Sequence, residues 1–316
     1  MSCTQLTQDQ RYQIYALKQV AQDNKRIAEI LGVHASTVSR ELKRNRGKKG
    51  YRSKQANQKA QERKHGAKKR IVSETWEYVE QKIQREWSPE QVSGRLRSCH
   101  GIQISHEWIY QYILADKEAG GSLYKHLRCQ KKNRKRYGSY ERRGSLPNRR
   151  SIEERPAIVE ERSRIGDWES DTIIGQGHQQ AIVTIVDRKS RLLLMQKVEK
   201  RTAEKVGEAT ITMLSTKACK TLTSDNGKEF ADHELVAIAL KIDFFFAHPF
   251  SAWERGTNEN TNGLIRQYFP KHTAFNTITK DHVTTVMDKL NNRPRKCLGF
   301  RTPHEVYQSY SIALAS

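Results

Sequence analysis

The fold class this sequence predicts is an α/β chain of more than one domain, with a helical N-terminal region and a C-terminal mixed sheet covered by helices. Three observations carry that expectation. Helix caps and helical spacing dominate to about residue 128. From Gly166 onward, short apolar runs separated by turn residues take over. The positive charge is also lopsided. Residues 159–275 hold 16 Lys and Arg against 16 Asp and Glu, and residues 276–316 hold 6 against 3, so +19 of the net +22 falls on residues 1–158. A length of 316 residues suits about two domains. The apolar share of 36% lies below the ~45–50% typical of globular chains, which points to open, charged stretches.

Thr7 and Gln10 form a capping-box pattern that opens a first helix, with Tyr12, Tyr15, Leu17 and Val20 on its apolar side. Asn24 can cap a second helix, in which Ile27 and Leu31 share one face; Gly32 ends it. A third helix starts near His34 and turns Val38 and Leu42 inward. The short turn between the second and third helices gives a helix-turn-helix arrangement. Ser36, Thr37, Ser39 and Arg40 are placed to meet DNA, and Lys43, Arg44 and Arg46 lie where phosphates would follow. This domain is expected to span residues 1–65 with its basic extension, and residues 51–70 are expected as a helix or linker.

A second helical, helix-turn-helix-like domain is expected over residues 70–128. Ser88 caps a helix with Pro89 at its first position, and Ser105 opens another bearing Trp108, Ile109, Tyr112 and Ile113. This pair suits either DNA reading or a packing role. Residues 125–150 carry eleven Lys and Arg against Glu141 alone, with few apolar residues, so a basic linker is expected at 129–158. Its cations can follow a DNA backbone.

The five cysteines are scattered, and His100 and His106 near Cys99 lack the four-ligand spacing of a finger. No zinc and a reducing cytoplasm are expected. No apolar run or leader-like segment suggests a membrane. The charge asymmetry implies a polyanionic partner, which places the protein in the cytoplasm on the nucleoid.

In the second half, residues 168–174, 181–186, 192–198, 221–224 and 242–247 read as strands. Thr202 caps a helix running to about Ser215, residues 229–240 read as another, and the later part of 254–268 as a third. Asp171 then lies in the first strand, Asp225 ends a later one, and Glu259 sits on a helix able to pack beside them. The separations are 53 residues between the aspartates and 33 from Asp225 to Glu259. Three converging carboxylates would repel unless cations stood between them, and hard oxygen donors favour Mg²⁺, with Mn²⁺ able to substitute. Such ions assist in-line phosphodiester displacement without a nucleophilic side chain. The residues alone leave rivals open: Asp167, Glu169 and Asp187 for the first acid, Glu254 for the third, and pairing with Arg255 or Arg266 as the bland role of either glutamate.

Three stretches together resemble the DDE transposases of the insertion-sequence-thirty family: Asp167-Trp168-Glu169-Ser170-Asp171, Ser224-Asp225-Asn226-Gly227-Lys228-Glu229-Phe230, and the run from Trp253 to Lys271. Asn291-Asn292-Arg293-Pro294 and Thr302-Pro303-His304-Glu305 match the end of that family's integrase-like core, and Ser170 stands where many relatives have Gly. The resemblance implies an RNase H-like catalytic domain over residues 159–316, with Asp171, Asp225 and Glu259 as both metal ligands and catalytic triad. It implies binding of the element's terminal inverted repeats and target DNA, strand nicking, and strand transfer by the freed 3′-OH. Arg266, two helical turns after Glu259, is expected to touch DNA near the scissile phosphate. Cutting and joining two ends implies a homo-oligomer, at least a dimer.

Overall fold

The computed structural model describes residues 5–66, 71–128, 146–177, 179–249 and 251–315. Most of the segment expected as a basic linker, residues 129–145, lies outside the described residues. The chain divides into two units, Met1–Val72 and Ser73–Ser316.

In the first unit, α1 (Gln8–Gln19), α2 (Asn24–Leu31) and α3 (Ala35–Asn45) enclose a small core of Leu6, Ile14, Ile27, Ala28 and Val38. Thr7 and Gln10 make both bonds of the capping box. Gly32 ends α2 in the left-handed conformation (φ +63°), which a glycine adopts without strain. The structure corrects two details. Asp23, not Asn24, caps α2, accepting the Arg26 N–H at 2.7 Å; Asn24 is the first helical residue. The inward side of α1 is built on Arg11 and the fully buried Ile14, whereas Tyr12 and Val20 are exposed. Arg11 can face inward because Glu41 of α3 meets it at 2.8 Å, and Tyr51 donates to the same carboxylate at 3.2 Å. A Gly47–Gly50 bridge turns the chain into α4 (Ser53–Gly66), so the stretch expected as helix or linker is helical for most of its length.

The second unit opens with α5 (Ser73–Gln84), α6 (Pro89–His100) and α7 (His106–Glu118). Ser88 and Gln91 form a capping box, Pro89 takes the first turn, and Ser105 caps α7. Val79, Ile83, Val92, Leu96, Ile109 and Ile113 are buried between these helices, and Trp76 stacks on Tyr112 at 4.0 Å. They pack on the rest of the unit. Gly94 of α6 lies under Phe300, where an added Cβ would come within 2.3 Å of the ring. Gln91 donates to the Pro294 carbonyl at 2.9 Å, Arg95 pairs with Glu305, and Glu86 accepts the Tyr268 hydroxyl at 2.7 Å.

The sheet has the order β3-β2-β1-β4-β5. Its strands are β1 (Asp167–Ile174), β2 (Ala181–Asp187), β3 (Leu193–Val198), β4 (Thr221–Ser224) and β5 (Asp243–Phe246). β1, β2 and β3 form an antiparallel meander, and β4 and β5 run parallel to β1. Between them come α9 (Ala203–Leu214) and α10 (His233–Leu240), following the short α8 (Ala157–Glu161) that precedes the sheet. This is an RNase H-like mixed sheet. The expected helix over 229–240 is divided, with a 3₁₀ turn at Lys228–Phe230 before α10 begins.

Strand alternation sorts the two faces. Trp168, Val183, Ile185 and Leu222 pack with Val206 of α9 and Val236 of α10. On the opposite face Ile173, Ile182 and Met195 meet Leu264 and Ile265 of α11 (Gly256–Ile265), and Val283, Val286 and Leu290 of α12 (Lys280–Asn291). α13 (Pro303–Ala315) closes the chain. Glu169 and Asp171 share the parity of Ile173, so β1 presents both acids to the α11 face.

Candidate active site

The parallel register pairs Glu169 with Thr223; two residues on, it brings Asp171 beside Asp225, at the C-terminal end of β4. Arg255, just before α11, reaches between them: its guanidinium stands 3.6 Å from each carboxylate and donates to the Ser170 carbonyl at 3.2 Å. Asp171 accepts the Asn262 side-chain amide at 2.8 Å and the Thr172 N–H at 2.8 Å. Asp225 accepts the Gly227 N–H at 2.9 Å. A Cβ on Gly227 would lie 2.9 Å from that same oxygen and 2.6 Å from a carboxylate oxygen of Glu229, so a larger residue there would push both carboxylates aside. Asn226 donates to the Ala247 carbonyl at 2.7 Å and accepts from Arg149 at 2.6 Å, anchoring the loop after Asp225. Although 22% of the Asp171 side chain meets solvent, burial lifts its pKa to about 6, against the pull of Arg255.

The rival acids are all engaged elsewhere. Asp167 holds Arg164 in two bonds of 2.8 and 2.9 Å and accepts Thr221. Asp187 accepts the Gly166 and Ser190 N–H groups in a buried turn. Glu169 pairs with Arg188 at 2.7 Å and accepts the Asn258 N–H at 3.0 Å. Glu254 accepts the backbone and ring nitrogens of His248 at 2.8 and 2.7 Å, and with Glu153 at 3.4 Å it raises the His248 pKa. Arg255 therefore serves neither glutamate; it serves the two aspartates.

Glu259 is exposed on the first turn of α11. Among the described residues no three His, Cys, Asp or Glu side chains are gathered tightly enough to hold a metal ion together. The structure thus unites Asp171 with Asp225 and leaves Glu259 on the adjoining helix. The donor set still fits a hard divalent cation, since two carboxylates already face a shared positive charge. Arg266 is engaged within the fold. Its guanidinium donates to the carbonyls of Ile174, Phe269 and Pro270 at 3.2 to 3.4 Å, and burial lowers its pKa.

On the first unit, α3 exposes Ser39, Arg40, Lys43 and Arg44, with Arg46 just beyond. Ser36 and Thr37 are half-buried in the first turn, where the Ser36 hydroxyl meets the ring of the capping His34 at 2.9 Å. Residues 1–72 hold 18 Lys and Arg against 5 acids, whereas residues 73–128 hold 7 against 8. The positive charge of the helical half therefore belongs to the first unit, and α7 shows solvent Glu107, Trp108, Tyr110 and Leu114.

A family model described as a helix-turn-helix domain matches residues 2–45. The transposase for insertion sequence element IS4351 of Bacteroides fragilis is 42% identical over 98% of this chain and 99% of its own. Transposase InsI for IS30A of Escherichia coli (strain K12) is 35% identical over 96% of this chain and 83% of its own. The transposase for IS1086 of Cupriavidus metallidurans is 34% identical over 96% and 94%. The chain belongs to the IS30 family of transposases. It is accordingly an enzyme with a DNA-binding helix-turn-helix domain. The catalytic core of BIV integrase aligns with 47% of this chain at TM-score 0.39 and 21% identity. No helix among the described residues is long and apolar enough to cross a membrane.

Proposed function

We propose that this IS30-family member binds the terminal inverted repeats of its own element and performs Mg²⁺-dependent nicking and strand transfer, with Asp171, Asp225 and Glu259 as the ligands. The observation that carries this reading is the Asp171–Asp225 pair, on β1 and just past the end of the neighbouring parallel strand β4, with the Arg255 guanidinium between them and α11 alongside. A divalent ion bound there would activate the attacking oxygen and stabilise the leaving oxygen of an in-line displacement. The chain's own residues prepare the ground. Asn262 and the Thr172 N–H orient Asp171, the Gly227 N–H orients Asp225, and Arg255 offsets the repulsion between the two carboxylates.

Element recognition falls to α3, where Ser39 and Arg40 face outward to base edges and Lys43, Arg44 and Arg46 to phosphates, with Ser36 and Thr37 at the helix start. The active form is at least a dimer, since two ends must be cut and joined, and it works on the nucleoid. A labelled duplex carrying one element end, incubated with Mg²⁺ and the full chain, tests the proposal. Specific nicks and joined products are expected, both lost in Asp171→Asn, Asp225→Asn and Glu259→Gln. Nicks without joined products would leave a hydrolysing nuclease; binding without metal-dependent cleavage would leave a regulator.

A further inference from the structure

α11 begins without a cap of its own. Its N-cap residue is Arg255, whose side chain makes no capping bond, so the first N–H groups of the helix need partners from elsewhere. Glu169 supplies one from the sheet: its fully buried carboxylate accepts the N–H of Asn258, the third residue of the helix, at 3.0 Å. The other oxygen takes Arg188 at 2.7 Å, and Arg188 is itself held by the Val159 carbonyl at 3.1 Å and Glu160 at 3.0 Å. A carboxylate there also faces the positive end of the helix dipole.

The second tie repeats the first one step further on. Asp171, two residues along β1, accepts from Asn262, four residues along α11. Two strand residues advance about 6.6 Å and four helical residues about 6 Å, so the two bonds are matched rungs that set α11 lengthwise against β1. Glu259 follows directly on the lower rung.

We infer that Glu169 is a positioning residue for the active site: by holding the start of α11 to β1, it sets where Glu259 stands relative to Asp171 and Asp225. The inference rests on the proposed reading of Glu259 as a metal ligand. An ion pair with Arg188 alone would be a merely structural role, and two conservative variants separate the roles. Glu169→Gln keeps an acceptor long enough for the Asn258 N–H but loses the charge facing Arg188. Glu169→Asp keeps the charge but falls one methylene short.

The test uses the full chain, with Mn²⁺ binding read by electron paramagnetic resonance and amide exchange read along α11. Glu169→Asp is expected to weaken Mn²⁺ binding about tenfold, the loss typical of a supporting-shell substitution, and to speed exchange at Asn258–Thr261. Glu169→Gln, whose amide N–H faces the buried Arg188 in place of a carboxylate oxygen, is expected to lower overall stability while keeping Mn²⁺ binding and α11 exchange close to the parent in the folded protein. Adding Glu169→Asp to Glu259→Gln is expected to cost no more Mn²⁺ affinity than Glu259→Gln alone, because Glu169 acts only through that ligand. The reverse order, with Gln damaged and Asp intact, would overturn the inference in favour of the ion pair, and so would unchanged α11 exchange in Glu169→Asp. Faster α11 exchange in Glu169→Asp, with Mn²⁺ affinity unchanged in Glu259→Gln, would instead reject Glu259 as a ligand while leaving the clamp itself in place.

Discussion

Replacing Asp171 with Asn should make the metal-free protein more stable at pH 8 while abolishing its chemistry. Burial raises the Asp171 pKa to about 6, above the ~3.9 of an unfolded chain. The folded state therefore holds the proton more tightly than the unfolded state. Stability from this group is complete below pH ~4 and is lost as pH rises through about 6. Two pKa units correspond to about 3 kcal/mol. Asparagine offers one acceptor oxygen where the carboxylate satisfies both Asn262 and the Thr172 N–H, which returns about 1 kcal/mol. The net gain is about 2 kcal/mol, or roughly 4–8 °C in the unfolding of a unit of this size. Thermal unfolding in chelator should show the gain at pH 8 and its loss by pH ~4, where the carboxyl is protonated in the folded state and largely so in the unfolded state. Added Mg²⁺ should reverse the ranking, because only the parent site would bind it well. An Asn variant less stable than the parent at pH 8 would refute the view that this carboxylate is held at a cost to the fold.

Other consequences can be checked separately. The His248 imidazole, hydrogen-bonded to Glu254 and near Glu153, should titrate above an ordinary histidine by NMR; its stabilising contribution is full below pH ~6.5 and fades as pH climbs through the raised value. Glu254→Gln should return that titration to the ordinary range, and an unmoved curve would deny the pairing. Gly94→Ala should lower the melting temperature despite the better helix propensity of alanine, since its Cβ would press into the Phe300 ring at a cost of about 1–3 kcal/mol. A raised melting temperature would mean that the ring moves aside freely. Arg40→Ala should narrow the preference for element ends over random duplex, by about 1–3 kcal/mol if the side chain reads a base. Equal losses on both duplexes would make it a phosphate contact.

Local signals in this chain were legible, and long-range electrostatics were not. Thr7-Gln10, Ser88-Pro89-Gln91 and Ser105 mark helix starts because a cap is settled within a few residues. The strands of the meander show equally well as apolar runs between turns. Arg11 defied its pattern because its partner, Glu41, lies thirty residues on. The ambiguity among Asp167, Glu169, Asp171 and Asp187 has the same origin. Spacing ranks them alike, whereas partners from Arg164, Arg188 and the Ser190 turn occupy all but Asp171. Arg255 looked like a surface partner for a nearby glutamate; only the parallel pairing of β1 with β4 shows two aspartates within its reach. The acidic balance of residues 73–128 was countable from the start, but it was hidden inside the larger basic half.

The central claim is that α11 contributes to the same cation site as β1 and the end of β4. Fe²⁺ loaded in place of Mg²⁺, with peroxide and ascorbate, cuts the backbone wherever it is bound. Cuts are expected near Asp171, Asp225 and Glu259, all suppressed together by excess Mg²⁺. Cuts confined to the two strands, with α11 untouched in the DNA-bound protein, would contradict that claim.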